Sequence, residues 1–105
     1  MNDQVRYLVG LNLGPVEGHT SMAVMERRPD PAQESGFNFT VVGLERCPQG
    51  TPYPGVVDWV KAQLADYPAD QIALTVGGTV VDPAVVELLK QAGFGASLEA
   101  ITITD

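Results

Sequence analysis

The 105 residues suit one compact domain, residues 1–105, with a folded radius of gyration of roughly 13 Å, and leave no room for two. Apolar residues make up 45% of the chain and charged residues 18%, which excludes a disordered chain; at this size about two thirds of the unfolded surface can be buried, so no disulfide or metal staple is required. Thirteen acids against six bases give a formal charge of -7, which argues against stand-alone nucleic-acid binding because phosphate neutralisation needs clustered Lys and Arg.

From Val5 to Leu13 the chain alternates, with Val5, Tyr7, Val9, Leu11 and Leu13 on one side and Arg6, Leu8, Gly10 and Asn12 on the other. This predicts a strand with one buried face, ended by Gly14-Pro15 because proline has no N–H to donate. Thr20 to Glu26 reads as a second strand, Arg27 to Gly36 as a polar loop with two prolines, and Phe37 to Arg46 as a third strand. Connections this short predict an antiparallel meander.

After the proline-bearing connection Pro48 to Pro54, Val56, Val57, Val60 and Leu64 mark one side of a helix running to about Asp66. Gln71 to Val76 is a nearly continuous apolar strand, with Ile72, Leu74 and Val76 facing one way. Asp82-Pro83 opens a second helix, aspartate as N-cap and proline at the first helical position. Its stripe is Val85, Leu88, Leu89 and Ala92, and Gly93 is placed to end it in a left-handed conformation. Leu98 to Thr104 is the last strand, with Ile101 and Ile103 expected inward.

Right-handed crossovers then put both helices on one face. That face collects Tyr7, Val9, Leu11, Ile72, Leu74, Val76, Ile101 and Ile103. The other shows Arg6, Leu8, Gly10, Asn12, Ala73, Thr75, Ala100 and Thr102.

The six bases form no stripe, and the acids are scattered through turns and helix ends. An acidic decoy for a DNA-binding partner, which would concentrate its acids on one surface, therefore ranks last among the functional readings. Cys47, the single cysteine, cannot form an internal disulfide. With no signal-peptide pattern at Met-Asn-Asp-Gln and no apolar run of membrane-spanning length, the expectation is a cytoplasmic protein without a membrane partner.

Five stretches carry a resemblance: Tyr7-Leu-Val-Gly-Leu-Asn-Leu-Gly14, Glu17-Gly-His-Thr-Ser-Met-Ala-Val-Met-Glu-Arg27, Leu44-Glu-Arg-Cys-Pro-Gln-Gly-Thr-Pro-Tyr-Pro54, Pro83-Ala-Val-Val-Glu-Leu-Leu89 and Ile101-Thr-Ile-Thr104. In this order they resemble the ribonuclease H-like nuclease domain of phage terminase large subunits and their prophage relatives. The resemblance implies an α/β fold with a five-stranded mixed sheet, order β-β-β-α-β-α-β, and two helices mainly on one face. It also implies a chain truncated before the helix that bears the family's last acid.

In such nucleases carboxylates at the ends of the first and fourth strands hold divalent metal ions, which activate water for phosphodiester cleavage. Here Asn12 stands at the first position, offering a neutral amide oxygen, and Gly77 at the second. A further family acid falls at Gly18 or His19. The resemblance therefore implies a retained fold with lost metal chemistry and no cofactor.

The remaining acids near the presumed site, Glu17, Asp82 and Asp105, have ordinary readings as a turn residue, an N-cap and a chain end. Gly77-Gly78-Thr79 lacks the lysine of a phosphate loop and reads as a turn. His19 reads as a hydrogen-bonded turn residue, Cys47 and Trp59 as packing. The leading expectation is a catalytically inactive binding or assembly module of phage or prophage origin. Its partner is a second copy or a phage packaging-type protein, since the helix-free face still carries Leu8 and Val42. The alternative is a Mg²⁺- or Mn²⁺-dependent DNA nuclease with a rearranged or partner-completed site built from Glu17, Asp82 and Asp105.

Overall fold

The computed structural model describes residues 5–14, 19–34, 36–78, 82–94 and 98–102. Its strands are β1 (Arg6–Asn12), β2 (Ser21–Pro29), β3 (Phe37–Arg46), β4 (Ile72–Gly78) and β5 (Leu98–Thr102); its helices are α1 (Tyr53–Gln63), between β3 and β4, and α2 (Pro83–Leu89), between β4 and β5. The expected class, α/β with a mixed sheet and two helices, is present. Spatial order is β3-β2-β1-β4-β5. Strands β1, β2 and β3 are antiparallel neighbours, whereas β4 is parallel to both β1 and β5, the pairing that helical crossovers impose.

Alternation decides which face is buried. Val9 and Leu11 of β1, Met22 and Val24 of β2, and Ile72, Leu74 and Val76 of β4 form one cluster with Val56, Val57, Val60 and Leu64 from α1 and its end and Val85 and Leu89 of α2. Each such side chain, fully buried, contributes about 2 kcal/mol of apolar transfer energy. The intervening residues Arg6, Leu8, Ala73 and Thr75 are half-buried, and Gly10 and Asn12 are exposed. One face of the sheet is thus packed under helices and the other is open.

Local chemistry sets the helix ends. Pro52 occupies the N-cap of α1 and a proline its first turn, where the missing N–H is no loss. Asp82 caps α2, its Oδ1 accepting from the Ala84 N–H at 2.9 Å. Past α2 a wider turn, Lys90–Phe94, is stopped by Gly93 at φ 106°, a left-handed value that a side chain disfavours.

Two expectations are corrected. Strand β2 runs on to Pro29 instead of yielding to a loop at Arg27, because Arg27, Arg28 and Pro29 stay in register with Phe39, Asn38 and Phe37. The Arg27 guanidinium lies 4.4 Å over the Phe37 ring, and Arg28 pairs with Glu26 at 2.6 Å.

Gly77 and Gly78 belong to β4 instead of a turn, being paired with Ile101 and Thr102 of β5. The same register sets Leu98 beside Leu74 and Ala100 beside Val76, and Ile101 beside Gly77. Leu98 packs on the core. The inward placement expected for the Ile101 side chain, and Ile103 and Thr104, lie outside what the structure describes.

Candidate functional site

In an open α/β sheet the usual ligand crevice lies past the carboxyl ends of the strands where the chain departs in opposite directions from neighbouring strands. Here that place is the end of β1 and β4: from β1 the chain turns back into β2 on one side, and from β4 it crosses through α2 to β5 on the other. Asn12 and Gly77 are direct partners there, so the two positions singled out from the sequence are brought together.

The surrounding backbone is firmly held. The Leu13 N–H donates to the Gly77 carbonyl at 2.8 Å and the Cys47 N–H to the Thr20 carbonyl at 2.7 Å. The Gly14 N–H donates to Thr20 Oγ1 at 3.2 Å, and a Cβ on Gly14 would fall 2.3 Å from the His19 carbonyl oxygen. Glycine is therefore required by close approach of two backbones, not by ligand chemistry.

Among the described residues the paired ends of β1 and β4 offer no carboxylate to a divalent cation. Such an ion takes several oxygens, at least some of them carboxylate. Asn12 is exposed and neutral, and Gly77 is buried and has no side chain. Asp82 Oδ1 is engaged in capping α2. Among the described residues no three of His, Cys, Asp and Glu are grouped so that they could hold a metal. Glu17, Gly18, Thr79 and Asp105 lie outside the described residues.

Other residues weighed from the sequence fall as follows. Cys47 is buried in the core, and Trp59 is half-buried against it, both packing roles. His19 is exposed. A shallow groove of about 240 Å³ lies between α1 and α2, lined by Val57, Asp58, Lys61 and Leu88 among others, away from the strand ends.

What the sequence reading missed lies on β3. Leu8 and Val42 were expected as the apolar residues of the open face, yet Leu8 is half-buried. Among the described residues the exposed large apolar side chains are Phe37, Phe39, Val41, Val42 and Leu44. The alternation Phe37-Asn-Phe-Thr-Val41 was a signal for one face, but Val41-Val42 breaks the period. A bulge opposite Val24 and Met25 of β2 resolves it.

No family model matches the chain, and no curated protein matches it. No helix among the described residues is long and apolar enough to cross a membrane.

Proposed function

We propose that this chain is a non-catalytic, ribonuclease H-like binding or assembly module, related to the first part of a terminase-type nuclease. The observation that carries the reading is the row of large apolar side chains on β3, from Phe37 at 41% exposed to Leu44 at 74%. Side chains of this kind in one contiguous row mark a contact surface, whereas the end of β1 and β4 offers an amide and a glycine where metal-dependent hydrolysis needs carboxylates.

The test is calorimetric titration of the full chain with Mn²⁺, together with incubation of duplex DNA in Mn²⁺. The expected result is no saturable heat and intact DNA. Saturable Mn²⁺ binding that Asp82→Asn abolishes, with cleavage lost in Asn12→Ala, would replace this reading with the metal-dependent nuclease.

A further inference from the structure

Among the described residues the large exposed apolar side chains are concentrated on one strand, and that strand is an edge of the sheet. Phe37, Phe39, Val41, Val42 and Leu44 are 41%, 55%, 60%, 42% and 74% exposed. Residues 37–44 carry no charge and no proline, although the chain as a whole bears -7. Edge strands that stay unpaired are normally blunted by lysine, proline, inward charges or a bulge. Between Phe37 and Leu44 strand β3 has only the bulge, and its charges, Glu45 and Arg46, stand at one end.

That bulge also changes what the edge can pair with. In a regular strand, residues five apart such as Phe39 and Leu44 point to opposite faces. Here Phe39 is opposite Arg27 and Leu44 opposite Ala23, only four apart on β2, so both belong to the open face. The same holds for Phe37, opposite Pro29, and Arg46, opposite Ser21. The strand therefore reads alike from both ends about the Val41–Val42 peptide: Phe39 matches Leu44, Phe37 matches Arg46, and Asn38 matches Glu45 on the other face.

We propose that β3 pairs with the β3 of a second copy of this chain, antiparallel about a two-fold axis at the Val41–Val42 peptide. This names the partner of the module proposed above and rests on that reading. Phe39 then lies against the partner's Leu44 and Phe37 against the partner's Arg46. Asn38 supplies amide donors to the partner's Glu45, so the one acid at the seam meets no like charge. The contact is isologous and closes at two copies. The five exposed side chains present on the order of 500 Å², so two copies remove at most about 1,000 Å² from water, the low end for a specific interface.

The experiment uses the full chain. Sedimentation equilibrium up to about 100 µM, a range suited to an interface of this size, is expected to reach twice the 11.2 kDa of the chain. Phe39→Lys and Leu44→Lys are expected to return it to the monomer mass with an unchanged far-ultraviolet circular dichroism spectrum. Register is read by mild oxidation. Val42→Cys, next to the axis, is expected to form a disulfide-linked dimer, while Phe37→Cys, roughly 30 Å from its counterpart along the paired strands, is not; native Cys47 is buried and serves as background. A monomer at about 100 µM, a dimer that survives either lysine substitution, or Phe37→Cys cross-linking as readily as Val42→Cys would overturn the proposal. Failure here with no Mn²⁺ binding leaves the module reading in need of another partner, whereas Mn²⁺ binding sinks that reading by a separate measurement.

Discussion

Strands β3 and β4 have similar apolar content and opposite fates. In β4, Ile72, Leu74, Val76, Gly77 and Gly78 are buried, because a parallel neighbour lies on each side and two helices cover one face. In β3, ten residues long, none is buried, because the strand lies at the sheet edge, outside the core cluster that the helices cover. Composition alone does not separate the two. Position in the sheet does, and it makes β4 a source of stability and β3 a source of contact surface.

The sharpest way to break this comparison is a matched pair of truncations. Leu74 is 0% exposed and Leu44 74%. Leu74→Ala removes a fully buried side chain of the core cluster and is expected to cost about 3 kcal/mol in urea unfolding. Leu44→Ala is expected to stay within about 0.5 kcal/mol, measured at concentrations where the chain is monomeric. Similar losses at both sites would mean that β3 is packed against something in the isolated chain.

Next in size is the helix that follows β4. Asp82 satisfies the Ala84 N–H at the start of α2, and Asp82→Ala is expected to lower unfolding free energy by about 1 kcal/mol. Asp82→Asn should recover most of it, since the amide oxygen also accepts. A carboxylate held for metal chemistry would behave otherwise: its removal would stabilise the apo chain, as relief of buried acid repulsion does.

How far these contrasts could be read from the sequence depends on where the deciding interactions lie. The bounds of β3 and the cap at Asp82 were legible because their signals are local: β-rich alternation between two turns, and aspartate before proline. Asn12 and Gly77 were linked only through the resemblance, as the positions of its metal carboxylates, and the strand order that sets them side by side was not read from the sequence. The tail of β2 and the pairing of Gly77 and Gly78 were not legible either. Glycine and arginine are weak strand formers, and neighbouring strands supply the reason they are extended here.

Smaller effects hold the outer part of the β2–β3 hairpin, beyond Met22 and Val24, which belong to the core cluster. Arg27 lies over the Phe37 ring at 4.4 Å, an arrangement contributing about 0.5–1 kcal/mol at exposed sites. Its Nε is buried with no hydrogen-bond partner among the described residues, which offsets part of the gain. Arg27→Ala is therefore expected to cost about 0.5 kcal/mol in urea unfolding, and Arg27→Lys nearly as much, because an ammonium lacks the planar face that stacks on the ring. A loss as large as that of Leu74→Ala would show that the hairpin is as tightly bound as the core.

The smallest effect concerns the neighbouring ion pair. Hydrogen bonds from Arg28 hold the Glu26 carboxyl below its ordinary value of 4.5, and Arg28 is correspondingly raised by the same bond. A carboxyl whose value is depressed on folding adds stability that is present above the unfolded value and lost as pH falls through the folded one. The difference in thermal midpoint between the native chain and Glu26→Gln should thus be visible at neutral pH and low salt, and close as pH falls through the lowered Glu26 value. High salt should close it at neutral pH too, since both groups face solvent and surface pairs are screened. A gap that persists in acid would mean that Glu26 holds the hairpin through packing against Tyr7, its partner on β1, and not through charge. The β2–β3 hairpin would then be an extension of the core, and the contrast between β3 and β4 would begin one strand further out.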